Sequence, residues 1–270
     1  MGAELSGTGP TWRVLRDEPA DGPTNMAADH ALALSLEPGH AVLRFYQWSP
    51  ATISLGRNQP ARGVYDESAA AQAGFSFVRR PTGGRAVLHD REVTYAVVVH
   101  AKDLGGPRAA YQAIHEALRH GLSALGVAAE LTPPGGAAGR LDGSPCFADP
   151  APGEIHVGGR KLVGSAQARF GSVILQHGSI LTVNDQRTLG TLVKSGKTPW
   201  ADDSTTSSPG LTLAALGVTS PVGDLIDGIE CGFAGCLGVR MTGGSWTEEE
   251  RAGANELDAL YRRPEWTWRR

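Results

Sequence analysis

The sequence predicts an α+β fold, a mixed and mostly antiparallel sheet with flanking helices. Three observations carry that reading. Short apolar segments bounded by Gly and Pro interleave irregularly with helical ones, with several hairpins and no strict βα repeat. Val93, Tyr95, Val97 and Val99 alternate as a half-buried strand should. Ala110, Ile114, Ala117, Leu118, Leu122 and Leu125 recur at helical spacing.

A strand is expected over residues 12–16. Thr24 or Asn25 can cap the helix that carries Met26, Ala27, His30, Leu32 and Leu34. Strands follow over 41–48 and 51–55, and Asp66 can cap a short alanine-rich helix ending at Gly74. Strands over 75–78 and 86–89 flank a turn, and 92–99 is the alternating strand. Pro107 suits the first turn of the helix over 107–125, and Gly126 ends it. Residues 131–153 form a long Pro- and Gly-rich loop; long ordered loops in compact domains are often functional. A hairpin turns at Gly158-Gly159 between 154–157 and 160–167. A strand over 172–181 and a helix from Asp185 to Val193 come next. Residues 195–209 are polar and expected to be a mobile loop. From about residue 211 the chain is helical, with a capping box at Thr247-Glu248-Glu249-Glu250. The division expected is a flexible amino-terminal segment, 1–10, and a single domain, 11–270.

The chain has 270 residues, 41% of them hydrophobic, enough for a substantial core. Its 25 Lys and Arg against 28 Asp and Glu give a net charge of −3, which argues against non-specific nucleic-acid binding as the main activity. Residues 1–10 contain no apolar signal core, and no stretch approaches the roughly 20 apolar residues that span a bilayer. A cytoplasmic protein that neither crosses a membrane nor binds nucleic acid is expected. Three cysteines without an export signal make a disulfide framework unexpected. Cys231 and Cys236, about 140° apart on a helix, lack zinc-pair spacing and read as core cysteines. No metal site is identified.

The segment with most chemistry is Val78-Arg79-Arg80-Pro81-Thr82-Gly83-Gly84-Arg85-Ala86-Val87-Leu88-His89-Asp90. Pro81 pushes Arg80 to an extended conformation. Gly83 and Gly84 permit positive φ and close approach of a ligand. A loop flanked by Arg79, Arg80 and Arg85 can wrap a carboxyl derivative or an acyl phosphate. The plainer alternative is a glycine hairpin with solvated arginines. Cys146 follows a proline in a glycine-rich loop that leads into the Lys161 hairpin. A nearby cation would lower its thiol pKa and raise the thiolate fraction.

These stretches resemble the lipoate–protein ligase and octanoyltransferase superfamily, which also contains the biotin–protein ligases. The arginine–glycine loop resembles its ligand loop. Thr24-Asn25-Met26-Ala27-Ala28-Asp29 resembles its first helix, and Trp48-Ser49-Pro50-Ala51-Thr52-Ile53-Ser54-Leu55-Gly56-Arg57-Asn58-Gln59 its early strand pair. Gly159-Arg160-Lys161-Leu162-Val163-Gly164-Ser165-Ala166-Gln167 resembles its lysine hairpin, and Gln176-His177-Gly178-Ser179-Ile180-Leu181 the strand after it. Together they cover most of residues 20–195. The resemblance implies a biotin/lipoate ligase-like catalytic domain. It also implies substrate-binding roles for Arg79, Arg80, Thr82, Gly83, Gly84, Arg85, Val87, His89, Gly164, Ser165, Ala166, His177 and Gly178. It places Lys161 at the acyl carbonyl, where it would stabilise the oxyanion. Ser144-Pro145-Cys146-Phe147 resembles the nucleophile position of the cysteine-dependent octanoyl-[acyl carrier protein]:protein N-octanoyltransferases.

A ligase starting from free lipoate must spend ATP through an acyl-adenylate and needs no cysteine. A transferase starting from a thioester exchanges one thioester for another at Cys146 and needs no ATP. Cys146 therefore favours an octanoyltransferase of protein lipoylation and lipoate biosynthesis, with a thioester intermediate and no cofactor. Octanoyl-acyl carrier protein is the expected donor. Lipoyl domains, those of the glycine cleavage H protein or a 2-oxoacid dehydrogenase E2, are the expected acceptors. The alternatives are an amidotransferase working between lipoyl domains, an ATP-dependent lipoate ligase, and a non-catalytic protein that binds lipoyl domains. A biotin ligase fits less well, because Arg80-Pro81-Thr82-Gly83-Gly84-Arg85 lacks the Gly-Arg-Gly-Arg pattern. Oligomeric state is left open, with a monomer as the working expectation.

Overall fold

The computed structural model describes residues 9–133, 147, 153–183, 186–194 and 210–270. Cys146, the polar stretch at 195–209, Asp185 and residues 1–8 of the amino-terminal segment lie outside the described residues.

In chain order the elements are β1 (Thr11–Arg16), α1 (Gly22–Ser35), β2 (His40–Tyr46), β3 (Thr52–Leu55), α2 (Glu67–Gln72), β4 (Ser76–Arg79), β5 (Val87–His89), β6 (Glu92–His100), α3 (Pro107–Ala124) and β7 (Glu130–Leu131). There follow β8 (Ile155–Val157), β9 (Arg160–Lys161), β10 (Val163–Phe170), β11 (Val173–Leu181), α4 (Arg187–Thr191), α5 (Val222–Leu237), β12 (Met241–Gly243), α6 (Glu248–Tyr261) and α7 (Pro264–Thr267). Six strands form the main sheet in the order β10-β11-β6-β2-β1-β12. Its β10–β11–β6–β2 part is antiparallel, and β1 is parallel to both β2 and β12. The fold is α+β with a mixed sheet.

Helices cover both faces of that sheet. On one face Phe45, Val93, Tyr95, Val97 and Val99 pack against Ile114, Leu118 and Leu122 of α3 and Leu225, Ile229 and Phe233 of α5. On the other, Val42, Ala96, Val98 and Leu175 pack against Met26, Ala27 and Leu32 of α1, with Tyr261 of α6 behind them. Strand β6 is therefore buried along its whole length. The alternation in its sequence suggests a half-buried strand, but the second face is apolar only at Ala96 and Val98 and polar at Glu92 and Thr94.

Other local expectations are corrected. Asp21, not Thr24 or Asn25, caps α1, accepting from the Thr24 amide at 3.0 Å. Asn25 is inside the helix, donating to the carbonyls of Ala20 and Gln47. The two strands flanking the glycine loop do not pair with each other. β3 lies between them, parallel to β4 and antiparallel to β5. Gln186 occupies the N-cap position of α4, and its side chain bonds both backbone groups of Leu88. Cys231 is exposed and Cys236 only half-buried on α5, so neither is a core cysteine. The expected capping box at Thr247 and Glu250 is present, and β12 is a strand that the helical reading missed. Among the described residues no helix is long and apolar enough to cross a membrane.

A charged pair fixes α1 to the sheet. Asp29, fully buried, accepts from Arg44 Nη1 at 2.7 Å, and Arg44 also reaches Asn25 Oδ1 at 3.0 Å and Asp17 at 2.6 Å. Burial pushes the Asp29 carboxyl up, but His177 and Arg44 more than offset it, so its pKa lies below the usual aspartate range. Removing one partner of a buried pair costs about 3–5 kcal/mol. Arg44→Met should lower the unfolding free energy by an amount on that order, read from the urea midpoint. A folded-state pKa below the unfolded value means the Asp29 contribution is complete above about pH 3.9. It is lost as pH falls through the depressed folded value. Wild-type unfolding curves between neutral pH and pH 3 should show that loss only at the acid end.

Candidate active site

The loop after β4 is held from both sides. Arg80, buried, donates to Ser54 O and Oγ at 2.8 and 2.7 Å and to the carbonyls of Gly83 and Arg85 at 2.8 and 2.9 Å. One guanidinium thus clamps the loop onto β3. Gly56, at the end of β3, touches the same loop: a Cβ there would stand 1.9 Å from Gly84 O. Gly84 itself has φ +92°, as the sequence suggested for this turn.

Arg79 departs from the expectation of a ligand-facing cation. Its Nη1 donates to Gly56 O at 2.5 Å and Gln59 O at 2.9 Å, and its Nε to Thr267 O at 2.7 Å. It therefore ties the loop region to the carboxy-terminal segment. Burial, followed by Arg269, Arg80 and Arg270, pushes its pKa down to about 10. The Arg85 side chain is half-buried.

Beside the loop is a small pocket. Of the residues singled out from sequence it brings together Arg80, Val87, His89, Gly164, Ser165, Ala166, His177 and Gly178. Met26, Tyr46, Trp48, Thr94 and Ser179 complete the wall and were missed. The Trp48 indole stacks on His89 at 4.0 Å and donates to Thr94 Oγ1 at 2.8 Å. Val78 and Leu88 lie in the flanking apolar clusters, not on the pocket. Gly178 opposes Ser165 in the β10–β11 register, and a Cβ there would lie 2.7 Å from Ser165 Oγ and 2.8 Å from Tyr95. Its missing side chain leaves room for both.

Two polar clusters meet at this pocket. On the α1 face His177 Nδ1–H donates to Asp29 Oδ2 at 2.8 Å, and Thr82 Oγ1 donates to Nε2 at 2.6 Å. Tyr46 donates to the same Asp29 oxygen at 2.8 Å. Burial lowers the His177 pKa, and Asp29 offsets only part of that, so the imidazole is neutral at pH 7. His89 bridges Ser54 Oγ, 2.6 Å, and Glu92 Oε1, 2.7 Å. Asp29 is a further missed residue. A carboxylate inside an otherwise apolar helix face was the signal available for it.

On the α3 face the Lys161 Nζ is buried and paired with Glu154 at 2.7 Å, with the Phe147 ring 5.3 Å away. Ser165 Oγ bonds Tyr95 OH and His115 Nε2, each at 2.8 Å. Burial, and then the Lys161 ammonium, pushes the His115 pKa down to about 3. Phe147, the covalent neighbour of Cys146, packs against Val87 of the pocket wall and Leu181. Among the described residues no group of three His, Cys, Asp or Glu side chains could hold a metal.

The comparisons agree with one another. The model of the lipoyl protein ligase A/B catalytic domain matches residues 21–216. The octanoyltransferase LipM of Kyrpidia tusciae is 39% identical over 272 residues, covering 96% of this chain and 99% of the relative. That of Moorella thermoacetica is 40% identical over 275 residues, covering 96% and 98%. Among solved structures, the bipartite lipoate protein ligase of Thermoplasma acidophilum superposes with a TM-score of 0.79 at 25% identity, covering 96% of each chain. A lipoate–protein ligase A bound with ATP gives 0.78 at 24% identity, covering 96% and 98%, and speaks for the fold alone.

The Gly56–Gly84 contact can be tested directly. Gly56→Ala must displace the loop backbone, and misplacement near 1 Å at a reacting site costs on the order of 100-fold in rate. Acyl transfer should fall by about that factor while the circular dichroism spectrum is unchanged.

Proposed function

The chain belongs to the lipoyl protein ligase A/B catalytic family and is an octanoyltransferase of protein lipoylation, and we propose that it moves the acyl group by way of a thioester on Cys146. The donor in this reading is octanoyl-acyl carrier protein. The acceptor is one lysine of a lipoyl domain, that of a glycine cleavage H protein or a 2-oxoacid dehydrogenase E2. The reaction takes place in the cytoplasm, and residues 11–270 act as one catalytic unit.

One observation supports the cysteine route above the rest. Phe147 lies between Val87 of the pocket and the buried Lys161–Glu154 pair, and Cys146 is bonded to it. A thiolate needs a cation to form at neutral pH, and Lys161 is one. Attack on the donor carbonyl makes a C–S bond and breaks another, so the two thioesters are of similar energy and ATP has no part. The Lys161 ammonium stabilises the oxyanion of that step and gives its proton to the departing donor thiolate. Arg80, clamped to the loop carbonyls, keeps the loop against the acyl carbonyl. Met26, Trp48 and Val87 supply apolar wall for the chain.

Each buried methylene contributes about 0.8 kcal/mol, so a hexanoyl donor should bind on the order of tenfold more weakly than octanoyl. A flat response from butanoyl to dodecanoyl donors would count against a closed slot.

The covalent intermediate is read by intact-protein mass spectrometry after incubation with donor and no acceptor. Wild type should gain one octanoyl group without ATP. Cys146→Ala should lose both adduct and turnover while keeping its fold. Cys231→Ala and Cys236→Ala should keep the adduct, since α5 lies away from the pocket. Transfer by Cys146→Ala at the wild-type rate would return the reaction to direct attack or an adenylate.

A further inference from the structure

The second half-reaction needs a base, and the cysteine reading does not name one. An acceptor lysine has an unperturbed pKa of about 10.4 and arrives as an ammonium. It must shed one proton before it can attack and a second when the amide forms. Lys161 gives its proton to the donor thiolate in the first half-reaction and, beside the Glu154 carboxylate, regains one from solvent before the acceptor arrives, so it then has none to take. His115 is buried away from solvent with its Nε2 on Ser165. His89 has its Nε2 on Ser54, whose hydroxyl already accepts from the Arg80 guanidinium at 2.7 Å, and its Nδ1 on Glu92.

His177 differs. It lines the pocket, and its Nδ1–H is fixed on the ionised Asp29 at 2.8 Å. That bond sets the tautomer and leaves the Nε2 lone pair as acceptor. In the resting site the lone pair is capped by the Thr82 hydroxyl, a neutral donor on the ligand loop, at 2.6 Å. An imidazolium formed here would sit against a carboxylate, the arrangement by which an acid orients and stabilises a catalytic histidine.

We infer that His177 is the general base of acyl discharge, accepting at Nε2 the proton of the incoming lysine ammonium, with Asp29 as its positioning residue. This rests on the thioester reading above. The amine takes the place of the Thr82 hydroxyl at Nε2 and gives it one proton. The free amine then attacks the thioester carbonyl, forming C–N as C–S breaks. Its second proton goes to the departing Cys146 thiolate. Imidazolium and thiol remain, the charge is conserved, and the imidazolium afterwards returns its proton to solvent.

The charged and titratable groups around His177 are Asp29 from α1, Arg44 and Tyr46 from β2 on the same carboxylate, Arg80 beyond β4 and His89 on β5. Its partners in register on β6 and β10, Ala96 and Ala166, carry no charge. The lowered His177 pKa keeps the base unprotonated at neutral pH, so the acid limb of discharge should fall below the 6.5 of a free imidazole.

The test separates discharge from acylation. His177→Asn retains an amide donor for Asp29 but cannot take a proton. The variant is loaded with octanoyl donor, the adduct is weighed, and its decay is followed with a lysine acceptor domain or with hydroxylamine, an amine that is unprotonated at neutral pH. We expect the adduct still to form, and its decay is compared only after loading is complete. Decay with the lysine acceptor should slow on the order of 100-fold, the usual scale of general-base assistance, while hydroxylamine decay is unchanged. The residual lysine rate should climb with pH toward the lysine pKa instead of levelling. A merely structural role would slow both amines alike, and that outcome overturns the inference, as does an unchanged lysine rate. A lysine-selective loss in His89→Gln in place of His177→Asn overturns it too. Absence of any adduct in the wild type fails the thioester reading itself and is distinguishable from all of these.

Discussion

A single buried carboxylate governs the geometry of the pocket. Asp29 has no exposed surface, and its charge persists because Arg44, Tyr46 and His177 all donate to it. An unpaired charge at that depth would not survive. The three donors come from β2 and β11, which lie on either side of β6, and the acceptor from α1. In register, Arg44, Ala96 and His177 form one row across the three strands. Ala96, the small residue of the row, leaves space above the sheet for the carboxylate. A one-residue slip of β2 or β11 would turn Arg44 or His177 to the α3 face and strand the charge, so the pair specifies register as well as docking α1.

The row also marks where the sheet changes character. The row before it, Val42, Val98 and Leu175, is apolar and lies under α1. The row after it is Tyr46, Thr94 and Ser179, all polar-tipped and all on the pocket. Core and site are thus consecutive parts of one face. The small β4-β3-β5 sheet closes the open end, with the loop clamped by Arg80 and Thr82 reaching back to His177. Loop position is in this way coupled to the Asp29 row through one hydrogen bond.

Much of this was legible in the residues. The helix of α3, the lysine hairpin, the capping box and the glycine loop all follow from local periodicity and turn chemistry, which act over a few residues. What was not legible is nonlocal. Nothing near residues 75–90 says that β3 inserts between the two strands around the loop, because pairing partners are chosen by the whole sheet. The sidedness of β6 depends on two helices far away in sequence. Cys231 and Cys236 sit in an apolar stretch, yet α5 turns its buried side, Leu225, Ile229 and Phe233, toward α3, leaving Cys231 exposed and Cys236 half-buried at the edge of the core. Arg79 and Arg80 are adjacent and look equivalent. Only the fold sends one to the carboxy-terminal carbonyls and the other to the loop. Asp29 was overlooked because a helical aspartate is ordinarily a solvated charge, and its partners are remote in sequence.

In the proposed reaction two opposite proton demands fall on opposite faces of one sheet. A departing donor thiolate needs a proton, and an arriving ammonium must lose one. A single group serving both steps at neutral pH would have to be the wrong form for one of them. Here a lysine paired with a carboxylate lies on the α3 face, and a neutral histidine paired with a carboxylate lies on the α1 face. Environments that drive two titratable groups apart are the means by which one site runs acid and base steps together. The faces communicate where side chains are smallest. Gly178 stands opposite Ser165, so the Ser165 hydroxyl from one side and the His177 imidazole from the other reach the same pocket. A larger residue at 178 would divide it. The conformational freedom of that glycine is therefore less important than its lack of volume, which lets a side chain from each face of the sheet reach one pocket.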